Sequence, residues 1–352
     1  MVLGSKAGGL TYSKSMYLST SPFGFFYVEG SLAFPFGRWT EGDDQWIAEL
    51  FGLSWEKRLK PDGMDGEEAW EEYIKRVEGY LKRGIPVQTF WNWTPNREEK
   101  KQDKIVTPSG ERAFWWEGLT EKTRPDTHNF VVVGLDRANH QVRVNMPSAG
   151  WFGLEKYRTI NLNYLKKRIE TLRQNLKYTT IAYVPTEKPR KNDQEMEKGV
   201  SHRILKKIQG DPDAYFSERN QRYQYGINAL KAFKEDLNVS RFFQILDKRA
   251  KRQDLSCLEI LVWVKLGLYQ MKFITSLAAE YLEEERRIPE WEWLTHLNIQ
   301  YSKLYISSVK LVDLARVADQ NKKSAERFTP VLQEMQTTLE ATIDHMKKYP
   351  AR

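Results

Sequence analysis

The stretch CLEILVWVKLGLYQMKFITSLAAEYL, residues 257–282, restricts the possible folds of this chain more than any other segment. An apolar run of that length either crosses a bilayer or lies buried in protein. Glu259, Lys265, Gln270 and Lys272 interrupt it, and charge at that density is too costly within hydrocarbon. The segment is therefore expected as a long core helix, with other helices around it. The flanking sequence reads as helix over roughly 203–209, 218–236, 239–251, 255–285, 290–319 and 322–348, punctuated by Pro212, Pro289 and Pro330. Pro330 should kink the last helix or start it one turn later. No fixed period runs through these segments, so an irregular all-α bundle is expected rather than a solenoid.

The first half has a different texture. Residues 1–185 mix short β-branched and aromatic runs with Gly and Pro punctuation, the pattern of an α+β domain. GEEAWEEYIKRVEGYLKRG (66–84) predicts a helix: Trp70, Tyr73, Ile74, Val77 and Leu81 recur at helical spacing, acids crowd the start, and Lys82, Arg83 and Gly84 close it. Strands are expected over 85–93, 128–135, 140–146 and 178–185, with a helix over 161–176. From 186 to 202 the composition turns polar, which predicts a linker to the helical domain over 203–352.

At 352 residues the chain can hold two domains, each with its own core. No N-terminal segment has the layout of a secretory signal. A single cysteine, Cys257, excludes an intramolecular disulfide framework and a cysteine zinc cluster, and it is expected as a core residue. Both observations fit a cytoplasmic location, in which the sequons at Asn92 and Asn238 are chance matches. The net charge of +8 permits nucleic-acid binding. Most basic residues have acidic neighbours, however, even near KPRK (188–191) and KRAKR (248–252). A solvated basic surface is the favoured reading, and nucleic acid the weaker alternative.

THNFVVVGLDRANHQVRVNMP (127–147) carries the residues with most chemical promise. If Asp136–Asn139 is the hairpin loop, Leu135 opposes His140 and Phe130 opposes Asn145. His128 and Asn145 would then be diagonal neighbours on one face, and a slip of one residue would separate them. An imidazole oriented by a carboxamide is the base–orienter half of a nucleophilic triad. The plainer reading is a histidine satisfied at a strand start.

GIPVQTFWNW, HNFVVVGLD and VRVNMP together resemble a pattern found in papain-like cysteine peptidases that process bacteriocin leaders, and in the N-terminal domain of butirosin-type acyltransferases. The resemblance implies a papain-like domain over 1–185, acting on peptide or acyl-carrier substrates, with His128 as general base and Asn145 as its orienter. YSKSMYLSTSPFGFFYVEG (12–30) resembles the stretch that follows the nucleophile helix in that family. YGINALKAF (225–233) is similar to part of the helical tail that some members carry.

The chain departs from the pattern at the nucleophile. No helix-initiating cysteine with a preceding glutamine occurs in its first residues. Ser19, Thr20 and Ser21 offer hydroxyls, but without the elbow that activates a serine. Either a nucleophile-bearing segment precedes Met1, or the chain is a degenerate relative that binds rather than cleaves. Aromatic residues could line a substrate groove, with Trp91, Asn92 and Trp93 from FWNW and Trp115 and Trp116 from FWW; core packing explains them equally well. The polar run 96–112 could act as a lid. Asp43 and Asp44 have no His or Cys at ligand spacing, and no cofactor fingerprint occurs, so no metal or cofactor is expected. The alternative to a peptidase- or acyltransferase-like protein is a non-catalytic binding or scaffold protein that uses the aromatic cleft or the helical domain. Leftover apolar faces of that domain could also support self-association.

Overall fold

The computed structural model describes residues 12–32, 41–92, 127–145, 157–215 apart from Arg173 and Asn175, 223–253, 256–318 and 325–349. In chain order, α1 (Tyr12–Leu18) and β1 (Phe26–Tyr27) precede α2 (Glu41–Leu50), β2 (Leu53–Arg58) and α3 (Gly66–Lys82). Then come β3 (Val87–Asn92), β4 (Thr127–Asp136), β5 (Gln141–Asn145), β6 (Tyr157–Asn161), α4 (Leu162–Glu170) and β7 (Thr180–Pro185). The remainder is α5 (Asp193–Gln209), β8 (Gln224–Tyr225), α6 (Gly226–Asp236), α7 (Val239–Gln253), α8 (Cys257–Glu284), α9 (Ile288–Ala318) and α10 (Ala325–Met346).

These elements form two compact units. One is built on Phe51–Arg190; the other joins Leu10–Leu50 to Lys191–Arg352. The described residues of this first segment, 12–32 and 41–50, thus fold with the helical part, although their texture grouped them with the strands.

In the first unit the sheet runs β2-β7-β3-β4-β5-β6, with every pairing antiparallel. The helix expected over 66–84 forms as α3 and buries Trp70, Tyr73, Ile74 and Val77. They meet Val87, Phe130 and Val132 from the sheet, and Leu165 and Ile169 of α4 complete this layer. At the C-terminus of α3 the N–H groups of Arg83 and Ile85 bond the Tyr80 carbonyl, and Gly84 supplies the left-handed turn at φ 69°. Helix α4 stops at Glu170, short of the expected 176.

In the second unit, α8 and α9 form an antiparallel hairpin whose inner faces bury Leu268, Met271, Leu297, Tyr301 and Leu304. Helix α8 is the core helix expected from 257–282. Among the described residues no helix is long and apolar enough to cross a membrane. Pro289 sits in the first turn of α9, where its missing N–H costs nothing. Pro330 lies inside α10, in its second turn, rather than at its start.

The segment 186–202 is not a plain linker. From Asp193 it is α5, opened by a reciprocal cap in which the Asn192 side chain accepts from Glu195 N and Asn192 N donates to Glu195. Met196, Val200 and Ile204 bury one narrow face of it. Helix α5 ends at Gly210 (φ 85°), against Gly226 (φ 57°) at the head of α6. A Cβ on Gly226 would lie 2.5 Å from the Lys207 and Ile208 carbonyl oxygens, and one on Gly210 would lie 2.6 Å from the Tyr225 oxygen. Only glycine permits that backbone crossing. It explains the glycine in YGINALKAF.

Candidate functional site

The β4–β5 hairpin closes between Asp136 and Gln141, one position further along each strand than the sequence suggests. Its turn is held by Asp136, which accepts from Asn139 N at 3.0 Å and Asn139 Nδ2 at 2.8 Å, and His140 takes φ 54°. That change alone keeps the faces as expected. The ladder then shifts between Val132 and Gly134, leaving Val133 as the extra residue of a β-bulge. Beyond the bulge Asn145 pairs with Val131, not with Phe130.

The consequence follows from the two-residue repeat of a strand. Asn145 shares a face with Val131 and Asn129, whereas Phe130, Val132 and register position 128 belong to the other face. His128 pairs with Trp91. The expected diagonal pairing of positions 128 and 145 on one face is therefore replaced by placement on alternate faces. Asn145 is 8% exposed, and its Oδ1 has no hydrogen-bond partner among the described residues.

The aromatic positions divide. Trp91 is buried in the core, with its ring 5.0 Å from Phe130 and 6.4 Å from Tyr164 of α4. It packs between sheet and helix. Asn92 ends β3, paired with Thr127. Trp93, Trp115, Trp116 and the run 96–112 lie outside the described residues.

The nucleophile candidates are occupied or misplaced. Ser19 and Thr20 are fully buried; Ser19 Oγ donates to Met16 O at 2.8 Å and Thr20 Oγ1 to Ser19 O at 2.6 Å. Ser21 opens a 3-10 turn. Cys257 is exposed, which corrects its expected place in the core. It is the first residue of α8, just after Ser256, whose hydroxyl caps Glu259 N while the Glu259 carboxylate accepts from Ser256 N. The S-x-x-E spacing at 256–259 announces this boundary in the sequence. Cys257 and the β4–β5 hairpin belong to different compact units.

Asp43 belongs to a buried ion cluster, a role its sequence setting did not disclose. Its Oδ1 lies 2.6 Å from Lys207 Nζ and 3.0 Å from Arg203 Nη2, and Asp43 and Lys207 have no exposed side-chain surface. Arg203 also donates to Ala214 O at 2.9 Å and lies over the Trp46 ring. Burial pushes the Lys207 amine down to about 8 against the opposing pull of Asp43. The cluster fastens α2 to α5. Among the described residues no group of three or more His, Cys, Asp or Glu side chains is arranged to hold a metal.

The remaining surface of chemical interest is the outer face of the α8–α9 hairpin. Tyr269 and Phe273 stack at 6.3 Å, and Tyr269 meets Tyr305 at 5.7 Å across the two helices. Lys272 Nζ lies 5.7 Å from the Tyr305 ring centre. Tyr269, Ile299 and Ile306 are 44%, 48% and 53% exposed. By contrast, several clustered basic residues serve internal contacts: Arg190 lies over Phe51, Lys191 over Trp46, and Arg249 bonds the Ser31 carbonyl.

In comparisons with known proteins, no family model and no curated protein matches the sequence.

Proposed function

We propose that this chain is a degenerate relative of the papain-like peptidases and acyltransferases that binds a protein partner without cleaving or acylating it. Its working surface is the outer face of the α8–α9 hairpin. The register of the β4–β5 ladder carries this reading. A base and its orienter must share a face at adjacent positions, and pairing Val131 with Asn145 sets positions 128 and 145 on alternate faces. The buried, backbone-bonded hydroxyls of Ser19 and Thr20 support it further. A papain-like frame for the sheet-bearing unit rests on the motif resemblance alone, and the antiparallel sheet is compatible with it.

Two measurements test the reading. Purified chain incubated with aminoacyl thioesters and with peptides is expected to give no turnover above buffer. Robust cleavage that disappears in His128→Ala would overturn the non-catalytic assignment. A photo-cross-linking residue at position 269 or 306 is expected to yield a discrete adduct in cells that make the protein. No adduct at either position would remove the binding surface.

A further inference from the structure

We infer that His296 of α9 and His345 of α10 together form a site for one divalent transition-metal ion of the class that imidazole favours, namely zinc, nickel or copper. The inference is independent of the partner-binding surface proposed above.

Spacing provides the first argument. The two histidines stand on different helices, with ring centres 4.7 Å apart. Two imidazole nitrogens on one ion, each at about 2.0–2.1 Å, place their ring centres roughly 4.5–5 Å apart. Two of the chain's five histidines therefore meet at the separation that a shared ion requires. The rings are tilted by 31° to each other. His296 is exposed, so its ring can turn a lone pair toward an ion without disturbing the core.

The state of His345 provides the second. Its Nε2 lies 2.8 Å from the Trp293 carbonyl oxygen. A carbonyl only accepts, so Nε2 carries the hydrogen and Nδ1 keeps its lone pair. Metal-ligating histidines are held in this way, with the far nitrogen donating to a carbonyl that fixes tautomer and ring direction. The His345 ring also stacks on Trp293 at 4.9 Å, and Trp293 Nε1 donates back to the His345 carbonyl at 3.2 Å. Trp293 itself is buried against Phe23 and Tyr349. The ligand is thus oriented before any ion arrives. Burial lowers the His345 pKa, which favours the neutral ring that coordination needs. Among the described residues no hydrogen bond engages His345 Nδ1 or the His296 ring.

The surroundings select the ion. His345 lies in the last turn of α10, where the helix macrodipole favours a cation, although Lys348 opposes one. Among the described residues no carboxylate joins the pair to make a three-ligand group. Magnesium and calcium, which seek oxygen, have nothing to hold them there. An ion suited to imidazole would take the two nitrogens and keep water in its remaining positions.

The test uses the full chain, freed of metal by a chelator and titrated in a calorimeter with Ni²⁺, Zn²⁺ and Mg²⁺ salts. One Ni²⁺ or one Zn²⁺ per chain is expected to bind, and no Mg²⁺. His296→Ala leaves the Trp293 stack in place and is expected to weaken Ni²⁺ binding by roughly tenfold or more, since even a lost outer hydrogen bond costs a site that much. His345→Gln should do the same, and His202→Ala should change nothing. Ni²⁺ should also raise the unfolding midpoint of the wild type and leave that of His296→Ala where it was. If His345→Gln fails to fold, His296→Ala decides the matter alone. Undiminished Ni²⁺ affinity in His296→Ala would overturn the site. So would uptake of several ions per chain that neither histidine variant alters, or no binding of Ni²⁺ and Zn²⁺ by the folded wild type.

Discussion

Lys207 Nζ lies 2.6 Å from Asp43 Oδ1, and neither side chain reaches solvent. The pair joins α5 to the first turn of α2, with Arg203 as a second cation on the same oxygen. Asp43→Ala is expected to destabilise the helical unit by about 3–5 kcal/mol in chemical denaturation, because it strands buried positive charge. The paired change Asp43→Leu with Lys207→Met should recover part of that loss. Equal destabilisation by the single and the double variant would show that packing, not charge, dominates there.

The same lysine predicts a pH dependence. Burial lowers its folded pKa to about 8 from the ordinary 10.5. Between those values the unfolded chain holds a proton that the folded chain has released, so this group adds stability as pH rises through the window. The stability of the wild type relative to Lys207→Met should therefore grow from about pH 8 towards about pH 10. A flat or falling difference contradicts the assignment.

Trp91 distinguishes core from cleft. Packed against Phe130 and Tyr164, it should cost about 3–5 kcal/mol of stability when replaced by alanine. A groove-lining tryptophan would leave the unfolding midpoint nearly unchanged.

Asn145 makes the opposite prediction. Its buried Oδ1 has no partner among the described residues, so Asn145→Leu, close in shape, should stabilise the sheet-bearing unit by roughly 1 kcal/mol. A loss of that size would mean that the amide is held by a hydrogen bond and would reopen its role as an orienter.

These residues also show where sequence patterns suffice. Helix α3 is legible because five apolar side chains recur at 3–4 spacing between an acidic start and a basic, glycine-closed end. Helix α8 is legible from length and hydrophobicity, whereas the exposure of Cys257 at its start was not. Helix α5 was hidden because Met196, Val200 and Ile204 are spread thinly among Asp, Glu and Lys, and its burial depends on what packs against that narrow face.

The sequence by itself determined that a sheet-bearing first half precedes a helical second half, since strand and helix periods are local properties of the chain. It also determined that β4 and β5 pair as a hairpin. Only the tertiary structure decided which face each hairpin residue occupies. Val131, Val132 and Val133 are chemically identical, so no pattern of side chains marks Val133 as the unpaired one. The choice is made by the ladder as a whole, where Phe130, Val132 and Val144 must all reach the same core, and that choice sends Asn145 to the other side.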